Sequence, residues 1–366
     1  MRTLVFGGTF DPVHIGHTGL LSAISAGFDR ALIVPNGNPP HKERATASYH
    51  RVNMCRLAFP GLQICEYEVE KEGPSYTYET LEYLQGRGYG ELFYLVGADS
   101  LKNIFGWREP ERIAALCTLA VVKRPFCNAG LEETAGRYRR ELGGRVEIFT
   151  YPSVEASSTE ARLLNAFGEA HNILPAAVAE YAAAHGLYRD YCCITDRYRA
   201  YSLDAERIEH IKQTALTALR LARMYGGDEP RAVTAALLHD IAKETVKTGQ
   251  YDFTVPPGCP FKVAHSYAGG YVAEQEFGIT DRDILNAVTY HTSGRPGMST
   301  LEKIVYIADY IEPGREFADI DAIRSAAYTD LDAGTLAVLR NSVFYLREKN
   351  RDIYPLTLDA LEYYSK

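Results

Sequence analysis

The sequence predicts a parallel α/β sheet domain followed by an all-helical domain. Three observations carry this. Over residues 1–188, short apolar runs alternate with helical segments, the grammar of a sheet built from strand–helix units. Beyond about residue 188 the strand signals nearly vanish and helical periodicity takes over. The polar stretch 189–203 reads as a linker, which divides the chain into 1–188, 189–203 and 204–366.

Taken in order, TLVFGG (3–8) is a buried strand ending in glycine, and HTGLLSAISAGF (17–28) is a helix. RALIVP (30–35) is a strand running into a Pro/Gly loop, and ASYHRVNMCRLAF (47–59) is helical. LQICEYEVE (62–70) is strand-like, and TYETLEYLQGRG (77–88) is helical. ELFYLVGAD (91–99) is a strand, PERIAALCTLA (110–120) a helix, LAVVKRP (119–125) a strand overlapping its end, and RVEIFTYPS (145–153) the last strand. Six helical patterns follow, at 205–226, 229–244, 262–278, 281–292, 301–312 and 357–365.

Composition narrows the function classes. The chain has 366 residues, 46% of them hydrophobic and 23% charged, enough for a real core in each half. A net charge of -8 argues against a nucleic-acid partner, although a local basic site for nucleotides fits an acidic protein. No run reaches the roughly 18 apolar residues of a membrane span, and the N-terminus lacks the regions of a secretory signal. Seven cysteines without C-x-x-C spacing read as reduced thiols, hence a cytoplasmic setting.

Ligands of parallel sheets sit beyond the carboxyl ends of the strands. Gly7 and Gly8, the 39–42 segment, residues 97–99 and the Ser157-Ser158-Thr159 run all fall there. Glycines after a strand let backbone approach a phosphate, and a following helix offers its N–H groups. His14 and His17 would lie on one side of a helical turn and meet charge on a transferring phosphoryl group. Alone, they fit a capping loop as well. SSTEARLL (157–164) adds helix-capping hydroxyls with Arg162 one turn in, an anion clamp.

Together GTFDPVHIGH (8–17) and SSTEAR (157–162) resemble the nucleotidyltransferase superfamily that carries a T/H-x-G-H and an SST-x-x-R motif. Within it, five segments resemble the bacterial nicotinate-nucleotide adenylyltransferases: 35–42, 74–81, 95–113 (LVGADSLKNIFGWREPERI), 121–125 and 178–188. The resemblance implies an α/β Rossmann-like nucleotidyltransferase domain, with adenylyl transfer from Mg²⁺-bound ATP to nicotinate mononucleotide. By it, Gly7, Gly8, Thr9 and Phe10 form the nucleotide loop, and His14, His17 and Lys42 contact ATP phosphates. Ser158, Thr159 and Arg162 hold the triphosphate, and Arg124 belongs to the same nucleotide site. Ser75, Thr77 and Trp107 face the nicotinate ring, and Asp99 orients the mononucleotide. Class I aminoacyl-tRNA synthetases share the HIGH signature but need a lysine-rich KMSKS loop. Phosphopantetheine adenylyltransferases share both end motifs without the GAD…W segment.

In the second half, LLHDIAKE sets His239 and Asp240 side by side in an apolar run, a costly placement unless the pair binds something. His210, His265, His291 and Asp309 also sit in apolar helical settings. The order H…HD…H…H…D resembles the HD-superfamily metallophosphohydrolases. That likeness implies an all-α HD-type domain whose primary metal site is His210, His239, Asp240 and Asp309. His265 and His291 would hold a second ion bridged by Asp240, or bond phosphate oxygens. Mixed His/Asp ligation suits iron or another divalent first-row metal, mono- or dinuclear. Lys243 would neutralise phosphate.

The segments 291–315 and 352–364 resemble the bacterial HD-type symmetrical diadenosine tetraphosphate hydrolases, which implies cleavage of that substrate to two ADP. Arg315 and residues 353–357 would line the nucleotide side. A dNTP or (p)ppGpp hydrolase stays open as an alternative, as does a nucleotide-sensing module without turnover. The sequence leaves the oligomeric state open.

Overall fold

The structure is a computed structural model, and it describes residues 1–37, 45–123, 130–151, 156–248 and 253–366. Lys42 and Arg124 therefore lie outside the described residues. The chain forms two compact units, Met1–Tyr188 and Arg189–Lys366.

The first unit is a parallel sheet of six strands: β1 (Arg2–Gly8), β2 (Arg30–Pro35), β3 (Gln63–Ile64), β4 (Glu91–Gly97), β5 (Cys117–Lys123) and β6 (Arg145–Thr150). Their spatial order is β3-β2-β1-β4-β5-β6, the doubly wound arrangement, and the order reverses between β1 and β4. Val5 stands opposite Leu32 on one side and Tyr94 on the other, so the glycines that end β1 and β4 open into one crevice. The helices are α1 (Ile15–Ser25), α2 (Ser48–Ala58), α3 (Tyr67–Glu70), α4 (Thr77–Gly86), α5 (Ala98–Asn103), α6 (Pro110–Leu116), α7 (Leu131–Leu142), α8 (Ser158–Ala166) and α9 (Ala176–Ala184). The central strands are Val, Leu, Ile and Phe runs buried on both faces, as parallel strands must be.

Three expectations change. In 62–70 only Gln63–Ile64 pair as strand; the chain then turns into α3, which buries Glu68 where its carboxylate accepts the Thr80 hydroxyl at 2.7 Å. The helix read over 110–120 stops at Leu116, and Cys117 already pairs with Leu92 in the sheet. Helix α7 is an unread element although Leu131, Ala135 and Tyr138 show its buried stripe; its polar surround hides it.

The second unit is helical: α10 (Cys192–Thr195), α11 (Ala205–Tyr225), α12 (Glu229–Leu238), α13 (Phe261–Gln275), α14 (Arg282–Tyr290), α15 (Thr300–Ile311), α16 (Ile320–Thr329), α17 (Leu331–Glu348) and α18 (Pro355–Tyr364). Asp204 caps α11 by accepting the Arg207 N–H at 2.8 Å, and Gly226, at φ +67°, ends it. The stretch 189–203, expected as a linker, is folded into this unit. Tyr191, Ile194, Tyr198 and Tyr201 are buried, and the Tyr198 hydroxyl donates to Leu237 O at 2.9 Å. Its polar letters mask an aromatic stripe at three- and four-residue spacing. Among the described residues no helix is long and apolar enough to cross a membrane.

Gly7 and Gly8 serve packing as well as any ligand. A Cβ at Gly7 would collide with the Tyr94 hydroxyl, and one at Gly8 would crowd the Phe10 ring. Gly7→Ala should therefore cost about 1–3 kcal/mol, with partial recovery in Gly7→Ala/Tyr94→Phe. Trp107 is the sole tryptophan, so its fluorescence during urea unfolding reports this unit; a wild-type midpoint in Gly7→Ala would contradict the packing role.

Candidate active sites

At the β1–β4 crevice, His14 stands immediately before α1 and His17 in its first turn. The rings stack with centroids 3.7 Å apart. The His14 backbone N–H donates to His17 Nδ1 at 3.2 Å. That bond leaves the His17 proton on Nε2, a donor suited to an anion. Phe10, buried and with φ 51°, packs edge-on against His17 at 5.1 Å and holds the ring in place.

The two end motifs meet in space. Ser157 caps α8 by accepting the Glu160 N–H at 3.1 Å. The Ser158 hydroxyl donates to Pro12 O at 3.1 Å, and Arg162 pairs with Asp11 at 2.7 Å. Thr159 lies half-buried in the same first turn. Thr9 contributes its carbonyl, which accepts from Arg51 at 2.9 Å. Arg51, 1% exposed, also donates to Thr46 O and Gly37 O at 2.9 Å each, so one guanidinium ties the loops after β1 and β2. Arg51 lies outside the motifs; its signal is an arginine inside an otherwise core-like run, RVNMC.

On the other flank the Tyr94 hydroxyl is hydrogen-bonded to Thr77 at the start of α4. Trp107 meets the Tyr94 ring edge-on at 6.4 Å. Ser75 instead donates to Glu68 O at 3.3 Å. Asp99 is exposed in the first turn of α5, directly after β4.

The second unit gathers every predicted metal-site residue. His239 and Asp240 were expected within a helix, but α12 ends at Leu238 and His239 caps it. His291 caps α14 in the same manner. Each uses a carbonyl that the ending helix leaves open: His239 Nδ1 donates to Ala236 O at 2.6 Å, and His291 Nδ1 to Val288 O at 2.7 Å. Their Nε2 atoms thereby become lone-pair donors aimed inward. The C-terminal ends of two helices also favour a cation.

Asp240 stands in the middle. Its Oδ2 lies 3.7 Å from His239 Nε2 and 3.9 Å from His210 Nε2. Its Oδ1 lies 3.1 Å from His265 Nε2 and 3.6 Å from His291 Nε2. Asp309 Oδ1 approaches His210 Nε2 at 3.0 Å. Two groups could each hold an ion: His210, His239 and Asp309, and His239, Asp240 and His291. The donor set fits a first-row metal, because nitrogen lone pairs converge with two carboxylates.

Cations surround the two acids. Arg207 pairs with Asp240 at 2.8 Å, Lys243 reaches Asp240 at 3.3 Å and His265 at 3.0 Å, and Arg315 pairs with Asp309 at 2.7 Å. Arg315 was expected at a nucleotide; here it pairs with the Asp309 carboxylate. Arg207, Glu312 and Thr292 were not singled out. Arg207 sits one turn before His210, on its face of α11, and Thr292 Oγ1 contacts His291 Nε2 at 3.0 Å.

Protonation follows from these contacts. Burial opposes charge on His210, but its hydrogen bonds to Asp309 and Glu312 outweigh this and push its pKa up to about 9. Burial takes His239 down to about 3. Burial would raise Asp240, yet His239, His265 and His291 hold it well below the usual carboxylate range. In the metal-free chain the raised His210 stabilises the fold fully below the ordinary imidazole pKa, and that contribution is lost as pH rises through about 9. A metal must displace that proton. Titrating the metal-free protein with Mn²⁺ at pH 7 should release about one proton from His210, and release should fade above pH 9. Calorimetry in buffers of different ionisation enthalpy measures it; uptake with no proton release would contradict the assignment.

Both halves of the chain are similar to known proteins. Residues 5–163 match the cytidylyltransferase-like family model, and residues 207–314 match that of the HD domain. The chain is 38% identical over 162 residues to the symmetrical bis(5′-nucleosyl)-tetraphosphatase of Bacillus subtilis, across 42% of this chain and 87% of that protein. It is 36% identical over 193 residues to a "Probable nicotinate-nucleotide adenylyltransferase" of Roseiflexus sp., across 50% of this chain and 96% of that protein. A "Probable nicotinate-nucleotide adenylyltransferase/Ap4A hydrolase" of Mycoplasma genitalium is 25% identical over 362 residues, across 93% and 97% of the two chains. The chain thus belongs to two families at once, the nicotinate-nucleotide adenylyltransferases through its α/β half and the symmetrical bis(5′-nucleosyl)-tetraphosphatases through its HD half.

Proposed function

We propose that the protein is a bifunctional enzyme of nucleotide metabolism. Its first half transfers AMP from ATP to nicotinate mononucleotide, giving nicotinate adenine dinucleotide and pyrophosphate. Its second half hydrolyses diadenosine tetraphosphate to two ADP. The observation that carries this reading is the presence of two separate constellations among the described residues. One has His14 and His17 stacked on each other just after Asp11 and Pro12, which bond Arg162 and Ser158. The other sets Asp240 between two histidine pairs.

In the first reaction an oxygen of the mononucleotide 5′-phosphate attacks the α-phosphorus of ATP. The α–β bridging bond breaks, and pyrophosphate leaves with Mg²⁺. No protein nucleophile is required, so orientation and charge stabilisation supply the rate. His17 donates from Nε2 to the phosphates beside His14, and Arg162, Ser158 and Thr159 hold the triphosphate from α8. Lys42 and Arg124 are assigned to the same task on sequence alone. Trp107, Thr77 and Ser75 receive the nicotinate side, with Asp99 on the mononucleotide.

In the second half His210, His239, Asp240 and Asp309 would hold the primary ion. His265 and His291 would hold a second, with Asp240 between them. The chemistry such a metal supplies when bound is activation of water for attack at phosphorus. Iron is the ion this reading favours. Arg207, Lys243 and Arg315 would meet polyphosphate charge, and their present partners are the carboxylates that a metal would neutralise. The six described cysteines are free thiols, which supports a reducing, cytoplasmic setting.

The two activities should separate by mutation. His17→Ala should lower adenylyl transfer about 100-fold or more while diadenosine tetraphosphate hydrolysis persists; equal loss of both would argue against independent sites. Asp240→Ala should abolish metal content and hydrolysis and spare nicotinate adenine dinucleotide synthesis. Full hydrolysis by a metal-free Asp240→Ala preparation would overturn the second-half assignment, and an intact chain that binds but never cleaves would indicate a sensing module.

A further inference from the structure

Asp11 has no role in the chemistry above, and its place is unexpected for an acid. It lies in GTFDPVHIGH, the run assigned to a polyphosphate, where an unpaired carboxylate would repel the ligand. It is 1% exposed, so its charge must be met inside the protein. Oδ2 accepts from Arg162 Nη2 at 2.7 Å and from the Thr46 backbone N–H at 3.1 Å. Oδ1 accepts from the Tyr188 hydroxyl at 2.9 Å. The Asp11 main-chain carbonyl accepts from the same arginine, from Nη2 at 2.8 Å and Nε at 3.2 Å. The guanidinium also stands over the Tyr188 ring, 5.5 Å from its centroid.

Side chain and backbone of one residue therefore grip one edge of an arginine 151 positions away. Thr46 and Tyr188 in turn fix the carboxylate, so the grip has little freedom. A long side chain held only by solvent would need to be ordered during the reaction; a pre-set cation costs no such reorganisation.

We infer that Asp11 is a positioning residue for adenylyl transfer: it sets the orientation of the Arg162 guanidinium and acts through it, with Tyr188 and Thr46 fixing the carboxylate. This rests on the adenylyltransferase reading of the first half. It makes Asp11 compatible with an anion site because Arg162, Tyr188 and the Thr46 N–H meet its charge. It also makes Tyr188, the last residue of the first unit, part of the support of that site.

The test uses the full-length chain with ATP and nicotinate mononucleotide. Asp11→Asn should lower kcat about 10-fold or more and leave KM for ATP within about 3-fold. Added to Arg162→Ala, it should change the rate by less than about 2-fold, because both changes remove the same positioned cation. Wild-type kcat in Asp11→Asn, or losses that multiply in the double variant, would overturn the inference. Where Asp11→Asn does not fold, Tyr188→Phe decides instead: it deletes one hydroxyl and keeps the ion pair. It should lower kcat in the wild-type background and not in Arg162→Ala; no loss, or a loss that persists in Arg162→Ala, overturns the inference. Absence of adenylyl transfer by the unaltered chain would instead remove the first-half reading.

Discussion

Removing a carboxylate from water costs several kcal/mol unless donors or cations replace the solvent. Asp240, 2% exposed, meets that demand with Arg207, Lys243 and His265 Nε2, while the Nε2 atoms of His210, His239 and His291 stand around it at 3.6–3.9 Å. Those histidines come from α11, the end of α12, α13 and the end of α14, so the requirement of one acid draws four segments together. Its two oxygens face different histidine pairs, and this gives the centre two sides.

Asp11 places the same demand on the first unit and is answered by Arg162, Tyr188 and the Thr46 N–H. The outcome differs because the partners differ. Arginine stays charged, so Asp11 forms a closed ion pair that ties the loop after β1 to α8. Imidazoles give up their protons, so Asp240 belongs to a set that can take up a cation. Paired burial thus suits an anion in one half and a cation in the other.

Helix termini do related work in both. His14 and Ser157 each precede a helix whose first turn faces the crevice, and an N-terminal end favours anions. His239 and His291 each follow a helix, and their Nδ1 atoms use carbonyls the helix leaves open. The helix end that repels anions is the end that favours a cation.

Most of this architecture is legible in the order of residues. Alternating apolar runs disclose the sheet, and the period change near residue 188 marks the second unit, because burial imposes periods of two and 3.6 locally. The histidines, His239-Asp240 and SSTEAR are legible because unusual residue types in apolar or helix-starting positions carry a physical cost. The turn from strand Gln63–Ile64 into α3, the folded 189–203 stretch and helix α7 were not, since a short edge strand, an aromatic stripe and a polar helix each give weak local signals. The partners of Asp11, the clamp of Arg51 and the positions of Arg207, Glu312 and Thr292 depend on contacts between distant segments. So does the use of Gly7 and Gly8 as room for Tyr94 and Phe10. Local pattern determines which residues can do chemistry, because it depends on neighbours along the chain. Tertiary packing alone decides which atom of each residue is turned toward which partner, because hydrogen bonds, ring contacts and burial are properties of neighbours in space.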